Sequence, residues 1–284
     1  EFGIETEVFS KKEFNEIGHM GEEQFGAFSY KPGFAINPLK FLLGLAKQAE
    51  ISGVKIFQKS KVNKIEKNSG KFNVISNGQI ITANKIVMAT NGFYQDDLFP
   101  QLNNMILPVI SNIIITRPLS KSELDSHNFI TRNPVLNIRN LLFYYRLLSD
   151  NRFLFGARGD VVGSEQSSII KSKKMEKQMK KVFPNWKDVK IDYNWRGLVA
   201  VTTKFTPSIG KLDEDEIYYS FGYQANGVNT APWSGNELAK LIVSNSKELK
   251  ISKFYQGLPK KFPFPKLRLF YLRLYLMYCS IIDK

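Results

Sequence analysis

Apolar residues recur at helical and strand spacing along most of the chain, and this pattern predicts the first elements. Asn37 is a good helix cap and Pro38 suits a first helical turn, so a helix is predicted to begin there and to end at Gly53. Short strands are predicted next, over residues 54–57 and 61–65. The predicted buried face of the helix comprises Leu39, Leu42, Leu43, Leu45, Ala46 and Ala49.

A β-hairpin and a buried strand follow. Residues 72–75 and 79–82 flank Asn77-Gly78, a dipeptide that favours a two-residue hairpin turn. Residues 85–89 are almost continuously apolar, as expected of a buried parallel strand, and they lead into Thr90-Asn91-Gly92. A helix, a strand, a hairpin and a buried strand in this order are typical of a doubly wound α/β layer, in which ligands bind at the carboxyl ends of the strands.

The pattern changes at Leu107, after which strands are predicted over residues 109–116, 141–147, 153–156 and 194–202, with a lysine-rich helix over 165–182. Pro207, Ile209 and Gly210 predict a loop. The fold class predicted is mixed α/β (α+β): a partial Rossmann-like cofactor domain with an inserted, mainly antiparallel substrate domain. The predicted boundaries are 1–106 for the first part of the cofactor domain, 107–200 for the substrate domain, and 201–284 for the return of the cofactor domain with a C-terminal helix.

The most informative segment is Gly222-Tyr223-Gln224-Ala225-Asn226-Gly227-Val228, which separates an aromatic strand pattern from an apolar helix pattern. Because glycine lacks Cβ, Gly222 and Gly227 allow a tight turn and a close approach of a ligand to the backbone. The free amides and partial positive charge at a helix N-terminus suit an anion, such as the N1 and O2 edge of a reduced flavin. An ordinary strand–loop–helix connection is the alternative.

Composition excludes several kinds of site. The chain has one cysteine, Cys279, and two distant histidines, His19 and His127, so neither a disulfide nor a Cys- or His-rich metal site is expected. The net charge of +14 is typical of nucleic-acid binding. However, the lysines are spread along the chain, and the dense run within residues 171–181 fits the solvated face of the predicted lysine-rich helix. No nucleic-acid partner is therefore predicted.

The C-terminal segment, residues 267–282, is apolar and aromatic, but Arg268 and Arg273 interrupt it. It is too short and too charged to predict a membrane span. A packed terminal helix and a helix in peripheral contact with a membrane surface both fit the pattern. The sequence starts at Glu1 and shows no secretory signal pattern, so a fragment of a cytoplasmic protein is expected.

Segments in a fixed order carry a resemblance to a known family. They lie at residues 36–49, 53–57 with Val62, 86–92 (Ile-Val-Met-Ala-Thr-Asn-Gly), 107–119, 145–146 with 150–156, 195–197 with Thr202 and 207–210, and 222–228. Together they resemble FAD-dependent oxidoreductases of the D-amino acid oxidase superfamily, which includes glycine oxidase and sarcosine oxidase, and most of all the gamma-glutamylputrescine oxidase group. The resemblance implies FAD as the cofactor and a small-molecule amine or amino-acid derivative as the substrate.

The resemblance also implies roles for individual residues. Val62 would hold the adenine end of FAD through its backbone, with a plain core position on a strand as the alternative. Ala89, Thr90, Asn91 and Gly92 would run beside the phosphates and the ribityl chain. Pro207, Ile209 and Gly210 would lie against the flavin, together with Gly222, Tyr223, Gln224, Ala225, Asn226, Gly227 and Val228. Tyr145, Arg146 and Trp195 are candidates for the substrate side, with sheet packing as the alternative for Tyr145.

The implied chemistry is transfer of a hydride from the C–H beside a neutral amine nitrogen to flavin N5, giving an imine that hydrolyses. Because a neutral amine needs no strong base, no catalytic base is assigned, and no metal is implied.

Two departures from the family change this picture. The Gly-x-Gly-x-x-Gly strand–turn–helix unit that seats the pyrophosphate is absent from the 284 residues, so a missing N-terminal segment or a separate chain is expected to complete the FAD site. An exposed sheet edge and apolar surface are expected as a result. Val199 and Ala200 occupy the stretch after Trp195-Arg196-Gly197 where amino-acid oxidases of the family place a carboxylate-binding arginine. This favours an amine, or a substrate whose carboxylate lies elsewhere and meets Arg146 or Arg158.

Two other functions stay open from the sequence. The chain could be a truncated, non-catalytic relative or subunit that retains the fold, and a flavin spectrum would separate this function from an enzyme. It could also be a basic nucleic-acid-binding protein, which would show an affinity that depends steeply on salt.

Overall fold

The computed structural model describes residues 3–31, 33–94, 98–161, 163–212, 216–244 and 249–283. The helices are α1 Lys11–Ile17, α2 Pro38–Ile51, α3 Lys121–Asp125, α4 Glu165–Val182, α5 Gly227–Ser244 and α6 Arg268–Ile282. The strands are β1 Thr6–Ser10, β2 Gly26–Tyr30, β3 Val62–Asn68, β4 Lys71–Ser76, β5 Gln79–Ala83, β6 Ile86–Met88, β7 Leu107–Pro118, β8 Val135–Leu136, β9 Phe143–Leu147, β10 Arg152–Asp160, β11 Ile191–Val201, β12 Ser208–Lys211 and β13 Ile217–Phe221. This mixed α/β architecture confirms the predicted fold class.

The chain divides into two compact units. Unit 1 comprises Glu1–Ile36, Ile110–Gly197 and Arg273–Lys284, and unit 2 comprises Asn37–Val109 and Leu198–Leu272. The boundaries predicted at residues 106 and 200 for separate cofactor and substrate domains stay a prediction.

Unit 1 contains an antiparallel sheet with the strand order β11-β7-β10-β9-β8. Along β10, Phe153, Phe155 and Ala157 are buried in one apolar cluster with Met175 and Met179 of α4. Since side chains alternate along a strand, the intervening residues of β10 and its neighbours lie on the opposite side of the sheet. We call that side the second face.

Unit 2 contains a three-stranded sheet with the order β12-β13-β6, in which β6 runs parallel to β13. This pairing confirms the prediction of a buried parallel strand, because Ile86 and Met88 are buried. The predicted hairpin is also present: β4 and β5 are antiparallel and are joined through Asn77 and Gly78, which have φ angles of 49° and 75°. Strand β3 pairs with β4, and β3, β4 and β5 form a second three-stranded sheet of unit 2.

Helix α2 begins as predicted, but the prediction that its leucine face is buried is wrong. The Asn37 side chain caps the helix by accepting a hydrogen bond from the Lys40 amide at 3.0 Å. Leu39, Leu42 and Leu43 are nevertheless 62%, 62% and 59% exposed. The helical spacing was correct; a partner for the apolar face is missing from the described residues.

Four further features differ from or extend the sequence predictions. Residues 54–57 do not form the predicted strand, and β6 lies at the edge of its sheet with Val87 48% exposed. An unpaired edge and apolar surface are what the missing fingerprint unit led us to expect. Residues 208–211 form β12, paired with β13, where a loop was predicted. None of the helices in the described ranges has the length and apolar character needed to span a bilayer.

Candidate functional site

A hydrogen bond joins the end of β6 to the turn that follows β13. Because β6 and β13 are parallel, their carboxyl ends lie at the same edge of the sheet. Asn91 has a φ of 46°, in the left-handed region that asparagine tolerates, and its Oδ1 accepts a hydrogen bond from the Gly222 amide at 3.0 Å. The structure thus brings together two predicted segments, residues 89–92 and 222–228.

The conformation of Gly222 depends on its close neighbour Thr202. Gly222 has a φ of 78°, and a Cβ at this position would lie 2.7 Å from the Thr202 Cγ2. The buried Thr202 hydroxyl accepts a hydrogen bond from Gln224 Nε2 at 3.1 Å, and the same nitrogen donates to the Gly222 carbonyl at 3.1 Å. Only glycine therefore allows both this approach and this backbone angle.

The turn continues through two residues in a costly conformation. Gln224 and Ala225 have φ angles of 51° and 74° without being glycine or asparagine. Such strain persists where the surroundings enforce it, and it concentrates at functional sites. Left-handed residues next to a helix start turn successive amides toward one concavity, which suits an anion. Helix α5 begins directly afterwards, at Gly227, and adds the positive end of its dipole.

A buried hydroxyl network fixes the base of this turn. The Tyr223 hydroxyl lies 2.7 Å from Ser220 Oγ of β13 and 3.2 Å from Ser234 Oγ of α5. The two serine hydroxyls are themselves 3.0 Å apart. Tyr223 therefore ties the turn to both flanking elements, and its hydroxyl is engaged in buried hydrogen bonds.

The residues of the turn fit a flavin. Within the described ranges, the buried Oε1 of Gln224 has no hydrogen-bond donor. The pyrimidine ring of a flavin carries an N–H donor beside carbonyl acceptors that become negatively charged on reduction. A spare acceptor, a strained turn and a helix N-terminus in one place match both properties. At the neighbouring strand end, a Cβ on Gly92 would lie 3.1 Å from Leu198 Cβ, so the chain is closely packed there.

The structure does not place every predicted cofactor residue near the hydrogen bond between Asn91 and Gly222. Val62 begins β3, in the other sheet of unit 2. Ile209 is fully buried in a cluster with Leu238 and Leu241 of α5, and Gly210 packs under the Tyr219 hydroxyl. Pro207, Ile209 and Gly210 could therefore meet a cofactor only through their backbone, and these assignments stay predictions.

The predicted substrate residues Tyr145, Arg146 and Trp195 all belong to unit 1 and differ in environment. Tyr145 lies in the cluster under α4, and its hydroxyl is 3.0 Å from Nε2 of the buried His19. This is the sheet-packing position that the sequence left open. Arg146 projects to the second face and donates to the Ile36 carbonyl at 3.0 Å. Trp195 is 44% exposed on β11.

Sequence reasoning assigned no role to two residues that the structure places next to predicted ones. Thr202, which stands in one of the segments that carry the family resemblance, fixes the turn at Gly222. Tyr144 lies on the second face, where its hydroxyl is 3.0 Å from Ser111 Oγ of β7. The alternation of strand side chains could have identified Tyr144, because Phe143 and Tyr145 both fit a buried face.

Comparison with protein families matches residues 1–241 to the family described as FAD dependent oxidoreductase. A probable oxidoreductase OrdL of Haemophilus influenzae is 34% identical over 248 residues, which are 84% of this chain and 54% of that protein. A gamma-glutamylputrescine oxidoreductase of Escherichia coli is 31% identical over 241 residues, again 84% of this chain and 54% of that protein. The chain thus spans about half the length of the curated relatives it matches.

Solved structures share the fold. A glycine oxidase from Geobacillus kaustophilus has a TM-score of 0.75 and 18% identity, covering 92% of this chain and 68% of its own. An L-proline dehydrogenase from P. horikoshii has a TM-score of 0.70 and 21% identity, covering 89% and 68%. At this identity the likeness concerns the fold alone.

Proposed function

We propose that this chain, which belongs to the family of FAD-dependent oxidoreductases, supplies the flavin-holding turn of an enzyme that oxidises an amine or an amino-acid derivative. The observation that carries the proposal is the hydrogen bond from the Gly222 amide to Asn91, at 3.0 Å. It holds the turn that starts α5 against the carboxyl end of β6, the place where ligands bind in sheets of this kind.

The residues of the chain would bind and polarise the cofactor. When bound, FAD would supply the oxidising power by accepting a hydride from the C–H beside a neutral amine nitrogen. The N-terminus of α5 and the amides of the strained turn would stabilise negative charge on the reduced ring. Gln224 Oε1 would accept a hydrogen bond, and Asn91 would keep the turn in place.

We also propose that polypeptide outside the 284 residues completes the FAD site, either as an N-terminal segment or as a separate chain. The missing element would be the Gly-rich strand–turn–helix unit for the pyrophosphate. Support comes from the exposed apolar face of α2, from the edge position of β6 and from residues 54–57, which have strand character but pair with no strand in the described part of the chain. A parallel strand pairing with this edge would bury that surface.

The substrate would be an amine without a carboxylate on the reacting carbon, because Val199 and Ala200 stand where a carboxylate-binding arginine was expected. The E. coli relative named gamma-glutamylputrescine oxidoreductase supports an amine of this general type. The family match gives no support to a nucleic-acid-binding function or to a non-catalytic role. A cytoplasmic location stays a prediction.

The test is to express the chain together with the polypeptide encoded immediately upstream of it and to record the flavin spectrum. We expect a yellow protein whose oxidised flavin band bleaches when a diamine or acylated diamine is added without oxygen. Asn91→Gly should lose much of the bound flavin, while Asn236→Gly, on the exposed side of α5, should not. A colourless complex, or a flavin that no amine reduces, would contradict the proposal.

A further inference from the structure

Helix α6 carries apolar side chains on two opposite faces. On one face, Leu272 and Cys279 are buried and lie two helical turns apart. On the other face, apolar residues recur at positions i, i+4, i+7 and i+11 and are between 45% and 61% exposed. We call these four residues the outer stripe: Phe270, Leu274, Met277 and Ile281.

The orientation of α6 is fixed at its C-terminal end. The Asp283 carboxylate accepts hydrogen bonds from the Asn140 and Leu141 amides at 3.0 and 2.7 Å. Because the helix is anchored and its other face is buried, the exposure of the outer stripe does not come from a detached helix. A helix that is apolar all round normally lies inside a protein or against an apolar phase, so a partner for the outer stripe is expected.

The loop before α6 presents aromatic and basic side chains together. Phe264 has a φ of 45°, which is strained for a bulky residue, and it is 75% exposed. Phe262 anchors the loop, because its amide donates to the Asn104 carbonyl at 2.9 Å. The strain at Phe264 therefore holds an aromatic ring in solvent, as is more common at binding sites than elsewhere. Exposed lysines flank Phe264 in the sequence at Lys260, Lys261 and Lys266.

The charge of this C-terminal segment favours an anionic partner. Residues 253–282 contain six lysines and arginines and no aspartate or glutamate. A second copy of the chain would place like charges opposite each other, which opposes association through this surface. An apolar stripe bordered by basic residues, with the exposed tyrosines Tyr275 and Tyr278 beside it, is typical of helices that lie in a membrane interface.

Helix α4 shows what distinguishes α6 from an ordinary lysine-rich helix. Lys173, Lys177 and Lys181 of α4 are exposed, while Met175 and Met179 are buried in the cluster of unit 1. The lysines of α4 therefore form a solvated face over a packed one. In α6 the exposed face is itself apolar, and the basic residues lie beside it.

From these observations we propose that α6 and the loop before it dock on the surface of a membrane that contains anionic phospholipids. The 15 residues of α6 make a helix about 22 Å long, which is shorter than a hydrocarbon core of about 30 Å. The helix would lie in the plane of the interface, with the outer stripe and Phe264 toward the acyl chains and the lysines at the lipid phosphates. This inference goes beyond the proposed oxidation and does not depend on it.

The test measures co-sedimentation with lipid vesicles, using the chain expressed together with the polypeptide encoded immediately upstream. One set of vesicles is pure phosphatidylcholine, and the other contains phosphatidylcholine and phosphatidylglycerol in equal parts. We expect binding to the anionic vesicles to be about 10-fold tighter or more, and to weaken as the salt concentration rises.

Two pairs of matched variants separate the apolar contribution from the charge. Leu274→Glu/Met277→Glu should abolish binding, whereas Ile169→Glu/Ile170→Glu, at similarly exposed apolar positions of α4, should not. Each pair changes the net charge equally. By the same logic, Lys260→Glu/Lys266→Glu should remove the preference for anionic vesicles, while Lys173→Glu/Lys177→Glu on α4 should retain it. All eight positions lie outside the buried core, and circular dichroism checks that each variant is folded.

Failure of the protein to bind anionic vesicles at low salt would overturn the inference, as would equal binding by the α6 variant and its α4 control. A dimer that only Leu274→Glu/Met277→Glu dissociates would assign the outer stripe to a second copy of the chain instead. If that variant alone unfolds or releases the upstream polypeptide, the stripe belongs to protein packing and the inference is also overturned. Vesicle binding needs no flavin, so its outcome is separate from that of the proposed oxidation.

Discussion

Thr202 lies so close to Gly222 that a Cβ on the glycine would come within 2.7 Å of the threonine Cγ2. The two residues define the path of the turn, because Thr202 also receives the hydrogen bond from Gln224 that closes it. Thr202, which directly follows β11, thus restricts which residue can stand at position 222, and the left-handed φ of 78° restricts it further.

Gly222→Ala should lower the free energy of unfolding by about 2–4 kcal/mol, because it adds both a left-handed alanine and a clash. Thr202→Ser removes the Cγ2 methyl while keeping the hydroxyl. In the Thr202→Ser protein, Gly222→Ala should lower the free energy of unfolding by a smaller amount, since only the backbone strain remains. Urea unfolding of the four proteins measures this coupling. Strictly additive free energies would show that the contact does not constrain the turn.

Asn91→Gly should weaken FAD binding about 10-fold in the flavin-loaded protein, because the buried Gly222 amide loses its acceptor. Glycine tolerates the φ of 46° at this position, so the variant removes the hydrogen bond without adding backbone strain. Asn91→Asp keeps an acceptor oxygen and serves as the matched control. Flavin fluorescence quenching gives the dissociation constants. Equal FAD affinities of Asn91→Gly and the wild type would contradict a role of the Asn91–Gly222 hydrogen bond in FAD binding.

Protonation of His19 should destabilise unit 1 in acid. His19 is 1% exposed; its Nδ1 accepts from the Gly21 amide at 3.1 Å and its Nε2 lies 3.0 Å from the Tyr145 hydroxyl. Burial, helped by the charge of nearby His127, lowers the pKa of His19 from 6.5 to about 4. The unfolded chain then binds a proton at His19 more readily than the folded chain does. The free energy of unfolding therefore keeps its full value above pH 6.5 and falls as the pH drops toward 4.

The expected loss from His19 over that interval is on the order of 3 kcal/mol. His19→Gln retains a side chain able to bond Tyr145 but does not titrate, so its stability should fall less steeply between pH 6.5 and 4. Denaturant unfolding at several pH values gives both slopes, whatever the absolute stability of the variant. Identical slopes would mean that His19 is not the titrating group.

Leu42 of α2 and Leu238 of α5 should differ sharply in their contribution to the stability of this chain. Leu42 of α2 is 62% exposed and Leu238 of α5 is 3% exposed. Leu42→Ala should change the free energy of unfolding of this chain by less than about 0.5 kcal/mol, whereas Leu238→Ala should cost about 2–5 kcal/mol. Thermal or urea unfolding compares the two variants. A large cost for Leu42→Ala would mean that the chain itself already covers the α2 face.

Local signals predicted local structure well. The cap at Asn37, the Asn77-Gly78 turn and the lysine-rich helix over residues 165–182 all depend on neighbours within a few positions, and all three elements are present. The exposure of the apolar face of α2 could not be predicted. Such a face indicates that the helix packs against a partner, but it does not indicate that the partner belongs to the same chain.

The candidate site was predictable only where its residues are consecutive. The turn at 222–228 and the strand end at 89–92 each carry a local pattern, but the bond between Asn91 and Gly222 spans 131 positions. Pro207, Ile209 and Gly210 predicted a loop locally, yet pairing with β13 makes residues 208–211 a strand. On β9, Tyr145 lies in the buried cluster under α4, whereas its neighbour Tyr144 lies on the second face, and the sequence did not assign the two side chains to their sides of the sheet.

Hydrogen–deuterium exchange of the chain expressed together with the polypeptide encoded immediately upstream, with and without saturating FAD, tests the central claim most directly, because it reports backbone protection segment by segment. With FAD bound, we expect slower exchange in peptides covering residues 86–92 and 222–230, and loss of that protection in Asn91→Gly. Unchanged exchange in both segments at saturating FAD would contradict the account.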